Sequence, residues 1–124
     1  MPHLTLEYSA NVQPPDELES VFSEFHGLLH DHVGVSIGNC KSRARTAESF
    51  LVGEGRESDA FVHLEVRLLA GRSAQDKRKL GEDLLGLLRT VFSDADRQLD
   101  LQITVELVDM KRASYFKHPS GTIG

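Results

Sequence analysis

Met1-Pro2-His3-Leu4-Thr5-Leu6-Glu7-Tyr8 opens the chain, and its alternation decides the fold. Leu4, Leu6 and Tyr8 fall on one side, with His3, Thr5 and Glu7 on the other, the period of a half-buried strand. Pro2 has no N–H to give a ladder, so it suits the first position of that strand. A small penultimate residue lets the initiator methionine be removed. The chain would then begin with a secondary amine, fixed by its own ring and aimed by the strand. An α-amino group titrates near ~8, and burial or nearby cations push it down. A proline amine tuned in this way is a general base at neutral pH.

Three further segments alternate in the same way. The segment from Ser42 to Val52 is the least regular. The clearest sets Val62, Leu64, Val66 and Leu68 against Phe61, His63, Glu65 and Arg67. The last sets Leu101, Ile103, Val105 and Leu107 against Gln102, Thr104 and Glu106. Two segments carry the helical period instead: Leu18, Val21, Phe22, Phe25, Leu28 and Leu29, then Leu80, Leu84, Leu87, Leu88 and Val91. Pro14-Pro15 is expected to open the first helix and Gly34 to end it. Ser73, with Asp76 three residues on, is expected to cap the second.

The order is therefore β-α-β followed by β-α-β. Each parallel pair joined through a helix requires a right-handed crossover. Two such units side by side make an α+β, two-layer α/β arrangement: a four-stranded mixed sheet with both helices on one face. The whole chain, 1–124, reads as a single domain, with the loop Gly53 to Asp59 dividing its halves. The sheet face without helices predicts an oligomer. The segment after Met110 is irregular, and Tyr115-Phe116 is expected to dock it.

The composition bounds the function. The 124 residues are 40% hydrophobic and 27% charged, a globular balance with room for one core. No apolar run is long enough to span a membrane, and polar Glu7 and Ser9 follow the start at once, so neither a membrane anchor nor a signal peptide is expected. One cysteine, Cys40, allows no internal disulfide and fits a reducing cytoplasm. A net charge of −5 argues against a nucleic-acid partner.

Cations gather near turns and strand starts. Lys41, Arg43 and Arg45 share one face at the entry to the second strand. Arg72 stands in Ala70-Gly71-Arg72-Ser73, just before a helix N-terminus, itself a mild anion site. A guanidinium grips a carboxylate with two parallel hydrogen bonds. Cations converging on Pro2 would bind a polycarboxylate and lower the amine's pKa together. His26, His30 and His32 lack the cysteine or placed carboxylate of a metal set, so no metal is expected. His3 and His63 share polar strand faces and could be neighbours. Cys40 has no evident partner base, and Gly71-Arg72-Ser73 is too short for a phosphate loop.

Taken together, the start Met1-Pro2-His3-Leu4-Thr5-Leu6-Glu7-Tyr8-Ser9, then Ser42-Arg43, Ala60-Phe61-Val62-His63-Leu64, Ala70-Gly71-Arg72-Ser73 and Phe116-Lys117, resembles the 5-carboxymethyl-2-hydroxymuconate delta-isomerase family of the tautomerase superfamily. The likeness runs in order over nearly the whole chain. It implies a tautomerase-like fold, a homotrimer built through the sheets, and neither metal nor organic cofactor. It implies Pro2 as the catalytic proton carrier and Arg72 as a substrate-binding residue. The family's second arginine falls on Lys41, and its next on Arg43. The implied substrate is a small-molecule polycarboxylate from aromatic-acid (homoprotocatechuate) catabolism, isomerised by a keto–enol proton shift. A tautomerase of a smaller 2-oxo acid, or a non-catalytic trimeric binding module of the same fold, would fit the same pattern. If Met1 stays in place, Pro2 is an amide and carries no basic nitrogen.

Overall fold

Leu4 and Leu6 are fully buried while His3, Thr5 and Glu7 are half-exposed, as the alternation requires of β1 (His3–Ser9). The structure, a computed structural model, describes residues 1–119. After β1 come α1 (Leu18–Val33), β2 (Lys41–Ala47), β3 (Asp59–Leu69), α2 (Ala74–Val91), α3 (Ser93–Gln98) and β4 (Asp100–Met110). Short 3₁₀ turns lie at Ile37–Asn39 and Arg112–Ser114.

The limits of the two long helices, α1 and α2, follow local chemistry in three cases of four. Gly34 ends α1 in the left-handed conformation at φ 70°, its N–H donating to the His30 carbonyl at 3.0 Å. Ser73 caps α2, its Oγ accepting from the Asp76 N–H at 3.1 Å. Phe92 closes α2 and is almost fully buried. The fourth differs from expectation. The double proline does not open α1, which begins at Leu18 with no side-chain cap. Pro15 disfavours helical backbone at Pro14, so the pair forms the approach to the helix rather than its first turn.

Two further differences concern β2 and α3. β2 ends at Ala47, short of the expected Val52. Among the described residues its one strand partner is β1, and their register stops at Ser9 opposite Ala47. Beyond that point no strand among the described residues pairs with it, and Phe50 and Leu51 are exposed at 37% and 76%. α3 was not readable from sequence, because only Ala95 of its six residues is buried and a single apolar residue has no period.

The sheet order is β2-β1-β3-β4, with β1 parallel to β2, β3 parallel to β4, and β1 antiparallel to β3. This is the mixed four-stranded sheet made from two β-α-β units. α1 and α2 pack side by side on one face, with α2 against β4. Phe25 and Leu29 of α1, and Leu80, Leu84 and Leu88 of α2, meet Leu4, Leu6, Leu64 and Leu68 of the sheet in one core. Burying each such side chain contributes roughly 1.5–3 kcal/mol relative to exposure. The other face presents His3, Thr5, Glu7, Arg43, Arg45, His63, Glu65, Arg67, Thr104 and Glu106, with no layer over it among the described residues. No helix among the described residues is long and apolar enough to cross a membrane.

These pairings bring four chain segments to one end of the sheet. Parallel β1 and β2 start together; β3, antiparallel to β1, ends there; β4, parallel to β3, ends there too. Pro2, Lys41, the loop Ala70–Ser73 and the turn at Arg112 therefore share one edge.

Candidate active site at the N-terminal end of the sheet

Pro2 is buried at the head of β1, and its carbonyl accepts from the Lys41 N–H at 3.1 Å. This bond continues the β1–β2 ladder by one rung and fixes the direction of the terminus. Met1 is also buried, at 2% exposure, but lies outside the main core cluster. Burial lowers the pKa of the Met1 α-amino group below its ordinary value. Lys41, Arg72 and Arg112 lower it further, while Cys40 opposes them. The amine thus lies within reach of several positive charges.

Arg72 stands in the loop between β3 and α2, close enough for its charge to act on the amine. Gly71 before it has φ 120°, a backbone state that L side chains rarely adopt. The Nε–H of Arg72 is buried and has no hydrogen-bond partner among the described residues. A buried donor in that state is uncommon and is open to a water, an ion or a ligand group. Arg112 stands beside the same loop, its Nε donating to the Ala70 carbonyl at 2.9 Å. Sequence reasoning missed it by treating the segment after Met110 as irregular. The usable signal was the register, since Leu69 is opposite Met110 and the two exits must leave side by side.

The structure separates Lys41 from Arg43. Lys41 lies opposite His3 and acts on the terminal amine, its Nζ donating to the Asn39 carbonyl at 3.2 Å. Arg43 lies two pairs further along, opposite Thr5, and its guanidinium contacts Nδ1 of His3 at 3.1 Å. Arginine has donors only, so Nδ1 accepts and the proton of neutral His3 sits on Nε2. That Nε2–H donates to the Tyr115 hydroxyl at 2.9 Å. Tyr115 therefore docks the C-terminal segment as expected, whereas Phe116 is 89% exposed.

The remaining histidines are separate. His26 bonds the Ser42 hydroxyl at 2.8 Å, His30 the Val35 carbonyl at 3.0 Å, and His32 the Asp83 carboxylate at 2.7 Å. His63 bonds Thr104 at 2.6 Å rather than His3, because β1–β3 pairing sets it opposite Glu7. Cys40 is half-buried, its thiol donating to the Ser36 carbonyl at 3.6 Å, and burial raises its pKa. That is the opposite of what a nucleophilic thiolate requires.

His3 offers a direct check of this geometry. Burial is the largest cause that lowers its pKa, and Arg43 the next. Its folded-state pKa lies below the unfolded value, so the folded chain binds fewer protons between the two. The stability His3 contributes is present above the unfolded pKa of ~6.5 and is lost as pH falls through the folded one. Imidazole ¹⁵N NMR should show the Nε2–H tautomer and a midpoint below ~6.5. Arg43→Ala should raise that midpoint; an unmoved midpoint would mean that the Arg43 contact is absent in solution.

Comparison with known proteins agrees with this architecture. A family model for 5-carboxymethyl-2-hydroxymuconate isomerase matches residues 2–120. The chain is 25% identical over 117 residues to the 5-carboxymethyl-2-hydroxymuconate Delta-isomerase of Escherichia coli, covering 94% of this chain and 93% of that one. The crystal structure of a 5-carboxymethyl-2-hydroxymuconate isomerase from Deinococcus radiodurans R1 superposes with a TM-score of 0.83 at 30% identity, covering 94% of this chain and 87% of the other. A fused 4-OT symmetric trimer shares the fold, with a TM-score of 0.75 at 13% identity over 98% of this chain and 95% of that one. With a family match across almost its full length and the tautomerase-type sheet beneath it, the chain belongs to the 5-carboxymethyl-2-hydroxymuconate isomerase family.

Proposed function

We propose that, once Met1 is removed, the chain is a cofactor-independent isomerase of 5-carboxymethyl-2-hydroxymuconate with Pro2 as its proton carrier. The observation that supports this most is the group of cations acting on the terminal amine, among which the buried Arg72 Nε–H has no partner among the described residues. Removing Met1 transfers the free amine to the Pro2 nitrogen and takes away a buried side chain beside it. Burial and the same cations would then act on Pro2 and favour its neutral, basic form.

The neutral amine takes the proton of the substrate's 2-hydroxyl. The O–H electron pair forms the C2 carbonyl, the C2–C3 double bond moves to C3–C4, and the C4–C5 π pair takes the proton back from the prolinium as a new C5–H bond. No atom is gained or lost, and the product is 5-oxopent-3-ene-1,2,5-tricarboxylate. One base serves both transfers. Arg72, with Lys41 or Arg43, holds carboxylates and stabilises the dienolate. The charge of Lys41 at the amine favours it over Arg43, which is engaged with His3. Lysine offers a point charge where the family's arginine offers a fork, so carboxylate orientation rests more heavily on Arg72.

The open sheet face supports a homotrimer, the state named for the 4-OT structure that shares this fold. A single free cysteine is in keeping with the cytoplasm. Another 2-hydroxydienoate or a 2-oxo acid would suit the same base. A second reading, a trimeric binding module without catalysis, is favoured by the buried position of Met1, since a chain that keeps it has only an amide at Pro2.

Steady-state kinetics on methionine-processed protein test the reading. Pro2→Ala should lower kcat strongly while substrate still binds. Arg72→Ala should lower kcat/KM about ten- to a hundred-fold, the loss of one charge-assisted pair. Near-wild-type rates for both variants would place the active site elsewhere and bring the binding-module reading forward. Sedimentation should show a trimer at micromolar concentration, and a stable monomer would remove the assembly from the account.

A further inference from the structure

We propose that Arg112 is a third anion-binding group of the N-terminal site, and that it selects substrates bearing a carboxylate remote from their reacting end. The choice of substrate class rests on the isomerase reading above; the anion binding itself does not.

Position is the first argument. Leu69 and Met110 are the last paired residues of β3 and β4, and the Ala70 N–H donates to the Met110 carbonyl at 2.9 Å. The two chains therefore leave the sheet together. One carries Gly71-Arg72 and the other carries Arg112, at the start of the turn Arg112–Ser114. Orientation is the second. The Nε–H of Arg112 is tied to the Ala70 carbonyl at 2.9 Å, which anchors the guanidinium and leaves its two terminal nitrogens to donate elsewhere. One of them lies 3.9 Å from the point where a Cβ on Gly71 would stand. The guanidinium thus lies over a residue with no side chain, next to Arg72.

Pairing is the third argument. No carboxylate pairs with Arg112 among the described residues, and the nearby Asp109 carboxylate is held by Lys77 at 3.2 Å. The charge of Arg112 is also among those that lower the terminal amine's pKa, so it is felt at the same place as Arg72 and Lys41. Three cations around one amine exceed what a monocarboxylate can satisfy. A ligand with two or three carboxylates matches them, and an anchored guanidinium holds its far carboxylate at a set distance from Arg72. Arg112 then contributes binding that is equal in ground and transition states, which appears in KM rather than kcat.

The test uses processed protein with Arg112→Gln, which keeps a donor for the Ala70 carbonyl but loses the charge, and Arg112→Lys, which keeps the charge. Affinities for propane-1,2,3-tricarboxylate and for propanoate are read by NMR titration. Turnover is read with 5-carboxymethyl-2-hydroxymuconate and with 2-hydroxypenta-2,4-dienoate. Arg112→Gln should weaken tricarboxylate binding about ten- to a hundred-fold and lower the tricarboxylate-to-monocarboxylate ratio. Arg112→Lys should recover most of that ratio, and the loss in turnover should lie in KM. An unchanged ratio, or Arg112→Lys no better than Arg112→Gln, would reduce Arg112 to a tether for the Ala70 loop and overturn the proposal. If neither dienol is turned over but the ratio falls in Arg112→Gln, Arg112 keeps its role and the isomerase reading fails. If turnover is normal and the ratio is unmoved, the reverse holds.

Discussion

The hydrogen bond from the Lys41 N–H to the Pro2 carbonyl is the constraint on which the site depends. It extends the parallel β1–β2 ladder to the residue before the strand, and so turns a chain terminus into part of a sheet. Termini are usually frayed. Here the terminus begins an interior strand, with β2 on one side and β3 on the other. Pro2 can stand there because its missing N–H falls outside the ladder. A nitrogen held this way can be aimed at a reacting atom without any side-chain rotamer to order.

The rest of the chemistry follows from topology. Two β-α-β units, paired antiparallel through β1 and β3, bring two strand starts and two strand ends to one edge. Each contributes one element: the amine, Lys41, Arg72 and Arg112. Their mutual repulsion would be costly in a closed, dry pocket. It is tolerated because Lys41 and Arg112 remain exposed and hydrogen-bonded to backbone carbonyls. Arg72 differs from them in having a buried Nε–H with no partner among the described residues, so an arriving carboxylate gains most there.

How much of this was legible varies with the range of the interaction involved. β1, β3 and both long helices were readable because their apolar periods are local. Gly34 and Ser73 were readable because a cap is decided by one residue. The end of β2 was not, since it depends on the length of β1 as a partner. Pro14-Pro15 carried a helix-start signal that steric restriction of the first proline cancelled. Pro2, Lys41 and Arg72 stood out in sequence by residue type and by family likeness, whereas their convergence needed the strand order. Arg112 had neither advantage. It lies in a segment without period, and only the β3–β4 register shows that it must exit beside Gly71. The His3–Tyr115 contact, across 112 residues, was likewise beyond pattern reading.

The central claim is that the sheet end makes the Pro2 nitrogen an unusually weak proton binder. Titration of ¹⁵N-labelled Pro2 by NMR in methionine-processed protein measures this without substrate or turnover. The account predicts a midpoint below the ~8 of an ordinary α-amino group, rising when Arg72 or Lys41 is replaced by alanine. A midpoint at or above ~8 that ignores both replacements would contradict it.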